Sequence, residues 1–114
     1  MDIADFQARF AALTQGLEHP RIATALALVE EAGEVARCVL DHEVYGSPPG
    51  DSLVDEVGDT LAALAEVCAR HGVTLSDAAE RVLAKVEARA PRWREQLGDR
   101  LVTLRARWDG PAGA

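Results

Sequence analysis

The sequence has few aromatic residues: two Trp, one Tyr and two Phe among 114 positions. A core must therefore come from Ala, Leu and Val. An Ala-rich chain without β-branched runs packs as helices rather than sheets. Cysteine is also scarce. Cys38 and Cys68 sit in apolar helical surroundings and read as small buried hydrophobes, which excludes a disulfide scaffold. No apolar stretch approaches the ~20 residues of a membrane helix. The start, Met1-Asp2-Ile3-Ala4-Asp5, lacks the basic residues of a signal peptide. A cytoplasmic protein with no membrane partner is expected. A net charge of −7 argues against bulk nucleic acid as a partner.

The chain is long enough for one domain, residues 1–114, with a modest core. So small a helical domain buries only part of its apolar surface alone, so a homodimer or homotetramer is expected. The negative charge is localised. Residues 21–43 carry −3 and residues 51–71 carry −4, the whole of the chain's −7.

Local patterns divide the chain into four to five helices, an all-α bundle. Ile3, Phe6, Phe10 and Leu13 recur at helical spacing behind an N-cap at Asp2. Gly16 through Pro20 breaks this helix. The second runs from about Arg21 to Glu43. Tyr45-Gly-Ser-Pro-Pro-Gly50 is a loop. Asp51 or Ser52 caps a third helix that ends near Arg70. Thr74-Leu-Ser-Asp77 resembles a capping box and opens a fourth, which Pro91 ends or kinks. A last helix carries the apolar stripe Trp93, Leu97, Leu101, Leu104 and Trp108. The tail from about residue 110 to 114 is expected to fray.

Acids stand out on helices two and three. Residues three apart share a helix face, so Glu31 pairs with Glu34 and Glu56 with Asp59. If the two helices pack antiparallel, four carboxylates converge. That is costly unless a cation fills the space, and oxygen ligands on rigid helices suit a hard divalent ion, Mg²⁺ or Mn²⁺. The alternative is a solvated acidic face. At 100° per residue, Ile22, Leu26, Leu28, Val29, Val35, Val39 and Leu40 share the broad apolar arc of helix two. Glu30 and Glu34 lie opposite it and Glu31 at its margin. In helix three Glu56 is marginal and Asp59 lies further out. Periodicity thus puts the acids at the border of the core. Two features favour a site. Glu30 and Glu56 lack a base at i+4. Gly33 and Gly58 stand mid-helix, where Gly costs roughly 1 kcal/mol against Ala, and a close approach of two backbones would account for that cost. Further on, Arg81, Lys85, Arg89 and Arg92 align on one face. They form either a solvated basic face or a phosphate-binding one.

These residues together resemble the MazG-like nucleoside triphosphate pyrophosphohydrolases, within the all-α NTP pyrophosphatase superfamily. The E-E-x-x-E of Glu30, Glu31 and Glu34, then 21 residues, then the E-x-x-D of Glu56 and Asp59, is similar to the family's acidic signature. Lys85-Val-Glu-Ala-Arg89-Ala-Pro-Arg92-Trp93 resembles its downstream K-x-x-x-N-x-x-[KR]-[YW] segment, with Arg89 where the family has Asn. The likeness covers roughly residues 19–93.

The resemblance implies Mg²⁺ held by Glu31, Glu34, Glu56 and Asp59. Glu30 would bind a further ion or orient and deprotonate the attacking water. Lys85, Arg89 and Arg92 would face phosphates and Trp93 would be a candidate for stacking on the base. The implied reaction converts an NTP or dNTP to a monophosphate and pyrophosphate, clearing surplus or aberrant nucleotides. Two rivals stand: a phosphoribosyl-ATP pyrophosphatase of the same superfamily, and a non-catalytic nucleotide-binding or helical interaction module. His19 occupies a position where some relatives contact the nucleotide. As a lone loop histidine it reads as a bystander.

Overall fold

A computed structural model describes residues 1–48 and 50–110, and of Asp51 the backbone alone. The expected cap by the Asp51 side chain and most of the expected frayed tail, residues 111–114, lie outside the described residues. The described residues form four α-helices and no strand: α1 (Ile3–Leu13), α2 (Arg21–Tyr45), α3 (Gly50–Arg70) and α4 (Leu75–Asp109). The protein is all-α. None of these helices is long and apolar enough to cross a membrane. The chain groups into two compact units, Met1–Ala78 and Ala79–Ala114.

In the first unit the helix ends follow local chemistry. Asp2 caps α1 by accepting from the Asp5 N–H at 2.8 Å. Pro20, held at φ −53°, feeds the chain into α2 from an extended conformation. At the far end Gly46 turns left-handed at φ +73°, and its N–H reaches the carbonyls of Asp41 and His42. The Thr74 hydroxyl accepts from the Asp77 N–H at 3.1 Å and starts α4.

α1 lies against α3, and α3 lies along α2. The core under α1 consists of Ala65, Cys68 and Leu75, with Ile3, Phe6, Phe10 and Leu61 packed around it. Gln7 fastens α1 to the turn after α3. Its amide nitrogen donates to the Val73 carbonyl at 3.2 Å and its amide oxygen accepts from the Leu75 N–H at 2.7 Å.

The packing of α2 differs from the arc its periodicity predicts. Ile22, Leu26 and Val29 are 85%, 72% and 72% exposed, whereas Thr24, on the opposite side of the helix, is 2% exposed. The inward side of α2 holds buried Thr24 with half-buried Ala27, Leu28, Glu31, Glu34, Val35 and Cys38, so Leu28 and Val35 of the predicted arc do face inward while Ile22, Leu26 and Val29 do not. Hydrophobicity alone selects the whole apolar arc as the core face, but small and acidic residues share the packed side here. Small side chains let the two helices approach. Thr24 needs no further partner because its hydroxyl donates to the Arg21 carbonyl at 2.7 Å.

In the second unit α4 continues without interruption to Asp109, with Pro91 inside it. The two helices expected on either side of Pro91 are one. Proline removes a single backbone donor, and the surrounding Ala, Arg, Glu and Leu are strong helix formers that propagate the turn.

Candidate functional site

The connection between α2 and α3, residues 46–49, is short, so the two helices run antiparallel. That brings the middle of α2 beside the middle of α3. One carboxylate oxygen from each of Glu31, Glu56 and Asp59 lies within 4.8 Å of the others. Glu31 and Glu56 are half-buried and Asp59 is exposed.

Glu34 lies outside this triad. It lines a neighbouring pocket of about 300 Å³ together with Glu56, Arg37, Cys38, Asp41, Ser47, Pro48 and Ser52. The loop after α2 therefore forms part of a wall of this pocket. On the other side of the triad, Glu31 and Asp59 line a second pocket of about 270 Å³ with Phe10, His19, Ala27, Ala62, Ala63 and Glu66. The four acids thus divide between two adjoining hollows. Glu30 is exposed on α2 beside Glu31.

The electrostatics of the triad are one-sided. Burial, followed by the negative charges of Asp59, Glu30, Glu56 and Glu34, raises the Glu31 carboxyl above its ordinary 4.5. The Cys38 thiol is likewise pushed up, by burial and then by Glu56, Asp41 and Glu34. A raised pKa disfavours the reactive thiolate. Cys38 and Cys68 are both free, and of the two only Cys68 is fully buried. A set of hard oxygen donors, one of them held against its own ionisation by its neighbours, fits a divalent cation of the Mg²⁺ or Mn²⁺ type. Glu31, Glu56 and Asp59 would hold it, with Glu34 beside them.

Among the described residues, Gly33 and Gly58 do not mark a close approach within the chain. A Cβ built on either meets no atom within 4 Å. On α2, Gly33 falls in line with Ile22, Leu26, Val29 and Leu40, spaced four, three, four and seven residues apart along the exposed stripe.

His19 is more than a lone loop residue. Its backbone N–H donates to Glu66 Oε1 at 2.7 Å, and its ring Nδ1 lies 2.9 Å and 3.0 Å from the two oxygens of the same carboxylate. Arg70 Nε donates to the His19 carbonyl at 3.1 Å. The partners are 47 residues apart in sequence, and nothing in the local sequence around either one pairs them. Burial raises the Glu66 carboxyl, but the hydrogen bonds from the His19 side chain and backbone and the charges of His19 and Arg70 outweigh it. The net shift is downward.

Lys85, Arg89, Arg92 and Trp93 all lie on α4 in the second unit. The three cations are exposed and Trp93 is 41% exposed. Spacings of four and three keep Lys85, Arg89 and Arg92 on one helical face, and Trp93 follows one residue further round.

The class is thus an all-α protein in which an antiparallel helix pair brings three carboxylates together, with a pocket lined in part by these acids on either side. Residues 20–93, well over half of the chain, match the family model of the MazG nucleotide pyrophosphohydrolase domain, and the chain belongs to that family. No match was found among curated proteins or among solved structures.

Proposed function

We propose that this protein hydrolyses a nucleoside triphosphate, ribo or deoxy, to the monophosphate and pyrophosphate, with Mg²⁺ or Mn²⁺ as cofactor. The observation that supports this best is the convergence of Glu31, Glu56 and Asp59 in a chain of a nucleotide pyrophosphohydrolase family. When bound, the cation supplies Lewis-acid and charge-neutralising chemistry for a polyphosphate.

The chain's own residues have the following roles. Glu31, Glu56 and Asp59 form the core of the ligand set, and Glu34, on the wall of the neighbouring pocket, completes it when the ion is bound. Glu30, an exposed carboxylate beside them, accepts the proton of the attacking water. The water oxygen forms the new bond to the phosphorus next to the leaving group. The bridging P–O bond breaks, and its electron pair leaves with pyrophosphate. The phosphate-binding roles of Lys85, Arg89 and Arg92, and base stacking by Trp93, rest on the match of this segment to the family pattern. Arg89 in place of Asn adds charge and bulk, so the sugar preference of relatives is not carried over.

Self-association is part of the reading. Ile22, Leu26, Val29, Gly33 and Leu40 make a continuous exposed apolar stripe on α2, and a second copy of the chain, as a homodimer or a dimer of dimers, is its proposed cover. Gly33, with open space at its Cβ, would let two such helices cross closely. Two free thiols suit a reducing compartment such as the cytoplasm.

The deciding experiment is product analysis. The protein is incubated with a panel of NTPs and dNTPs plus Mg²⁺, and pyrophosphate is resolved from orthophosphate. Monophosphate plus pyrophosphate, lost in Glu34→Ala, is the expected result. Turnover of phosphoribosyl-ATP alone would move the reading to that pyrophosphatase. Binding of nucleotide without any turnover would replace it with a binding module.

A further inference from the structure

The grip of Glu66 on His19 joins two elements that the acidic triad does not use. His19 stands in the loop before α2 and Glu66 on α3, and both line the pocket that also holds Glu31 and Asp59. Glu66 makes three contacts with one residue, at 2.7, 2.9 and 3.0 Å. Arg70 adds a fourth at the His19 carbonyl. Glu66 is far less exposed than His19, 16% against 56% at the side chain. A loop residue is thus clamped at its backbone on both sides and at its ring, while the rest of the ring stays open to the pocket.

The proton count fixes the ring. An ionised carboxylate only accepts hydrogen bonds, so the Nδ1 facing Glu66 must carry the hydrogen. Nε2 is left without a protein hydrogen-bond partner among the described residues. In the neutral ring it is an acceptor. A carboxylate behind an imidazole sets both tautomer and orientation. The ring therefore presents Nε2, and not Nδ1, to anything that reaches Glu31 and Asp59 through this pocket.

We propose that Glu66 is a positioning residue of the site, holding the His19 imidazole on the pocket wall with Nε2 free to accept a hydrogen bond from the N–H or O–H groups of the bound nucleotide. This rests on the proposed nucleotide hydrolysis. Glu66 touches His19 rather than substrate, so its effect passes through His19.

The test is a double-mutant cycle. Wild type, Glu66→Ala, Glu66→Gln, His19→Ala and the Glu66→Ala/His19→Ala double variant are assayed on the NTP and dNTP panel with Mg²⁺. KM and kcat are read separately. Glu66→Ala is expected to raise KM roughly 2- to 10-fold, the worth of one hydrogen bond, with a smaller change in kcat. The double variant should be no worse than His19→Ala alone, because residues acting through one contact are not additive. Glu66→Gln should recover part of the loss, since its amide oxygen still accepts from Nδ1. A ¹⁵N spectrum of the imidazole in the nucleotide-free protein should show the Nδ1–H tautomer in wild type and a mixture in Glu66→Ala. Additive losses in kcat/KM, or an unchanged tautomer, would overturn the positioning role while leaving the hydrolysis intact. No turnover by wild type on any nucleotide would overturn both.

Discussion

Glu31 on α2 and Asp59 on α3 bring carboxylate oxygens within 4.8 Å of each other, and the charge of Asp59 helps to hold the Glu31 carboxyl above its ordinary 4.5. In the cation-free protein this pairing is a repulsion that the fold tolerates. The repulsion is the physical basis for a metal dependence of stability.

Addition of Mg²⁺ should therefore raise the melting temperature. A ligand that binds only the folded chain stabilises it by mass action, and a concentration of about a hundred times Kd should shift Tm by on the order of 10 °C. Glu56→Gln should remove most of that shift and raise Tm in chelator by relieving like-charge repulsion. Calorimetric melting with and without Mg²⁺ reads both. A variant that melts like wild type in both conditions would exclude a shared cation.

The pH dependence has two windows of opposite sign. Glu31 is raised, so its protonated form favours the fold. Its contribution is fully present below about 4.5 and is lost as pH rises through the elevated folded value. Glu66 is lowered. Its contribution is present above about 4.5 and is lost as pH falls through the depressed value. Melting in chelator from about pH 3 to 7 should show Glu31→Gln flattening the decline above 4.5 and Glu66→Gln flattening the acid limb below it. Exchange of these two effects would contradict the assignment.

The α2 stripe predicts a change of oligomeric state. Leu26→Asp puts a charge into the proposed interface and should convert the assembly to a smaller species in sedimentation velocity. Gly33→Ala should weaken the assembly if the helices cross there. In a chain that remains a monomer throughout, Gly33→Ala would instead raise stability by roughly 0.5–1 kcal/mol, because the added methyl meets open space. That outcome would remove the second copy from the reading.

Pro91 stands inside an unbroken helix, so Pro91→Ala should raise thermal stability. Proline in a helix interior costs about 3 kcal/mol relative to alanine, which sets the upper limit of the gain. Circular dichroism melting is sufficient. A loss of stability would place a structural requirement on the proline ring.

Much of this protein was legible in its residues. Breaks at Gly16–Pro20, residues 46–49 and Gly72 set the first three helix boundaries because the glycines and prolines there favour turns whatever surrounds them. Caps at Asp2 and Thr74 are equally local. The i, i+3 spacing pairs Glu31 with Glu34 and Glu56 with Asp59, since both spacing and helix periodicity are local properties, and three of these four converge.

Tertiary structure decided what locality cannot reach. It turned Thr24, Ala27, Glu31 and Cys38 of α2 inward together with Leu28 and Val35, and left Ile22, Leu26 and Val29 of the apolar arc exposed. Burial depends on which partner lies nearby and how closely it can approach, and hydrophobicity alone does not specify either. It set Glu34 in a pocket beside the triad rather than inside it, a matter of side-chain reach across two helices. Last, it joined His19 to Glu66 across 47 residues, a pairing made only when the loop before α2 is laid against α3.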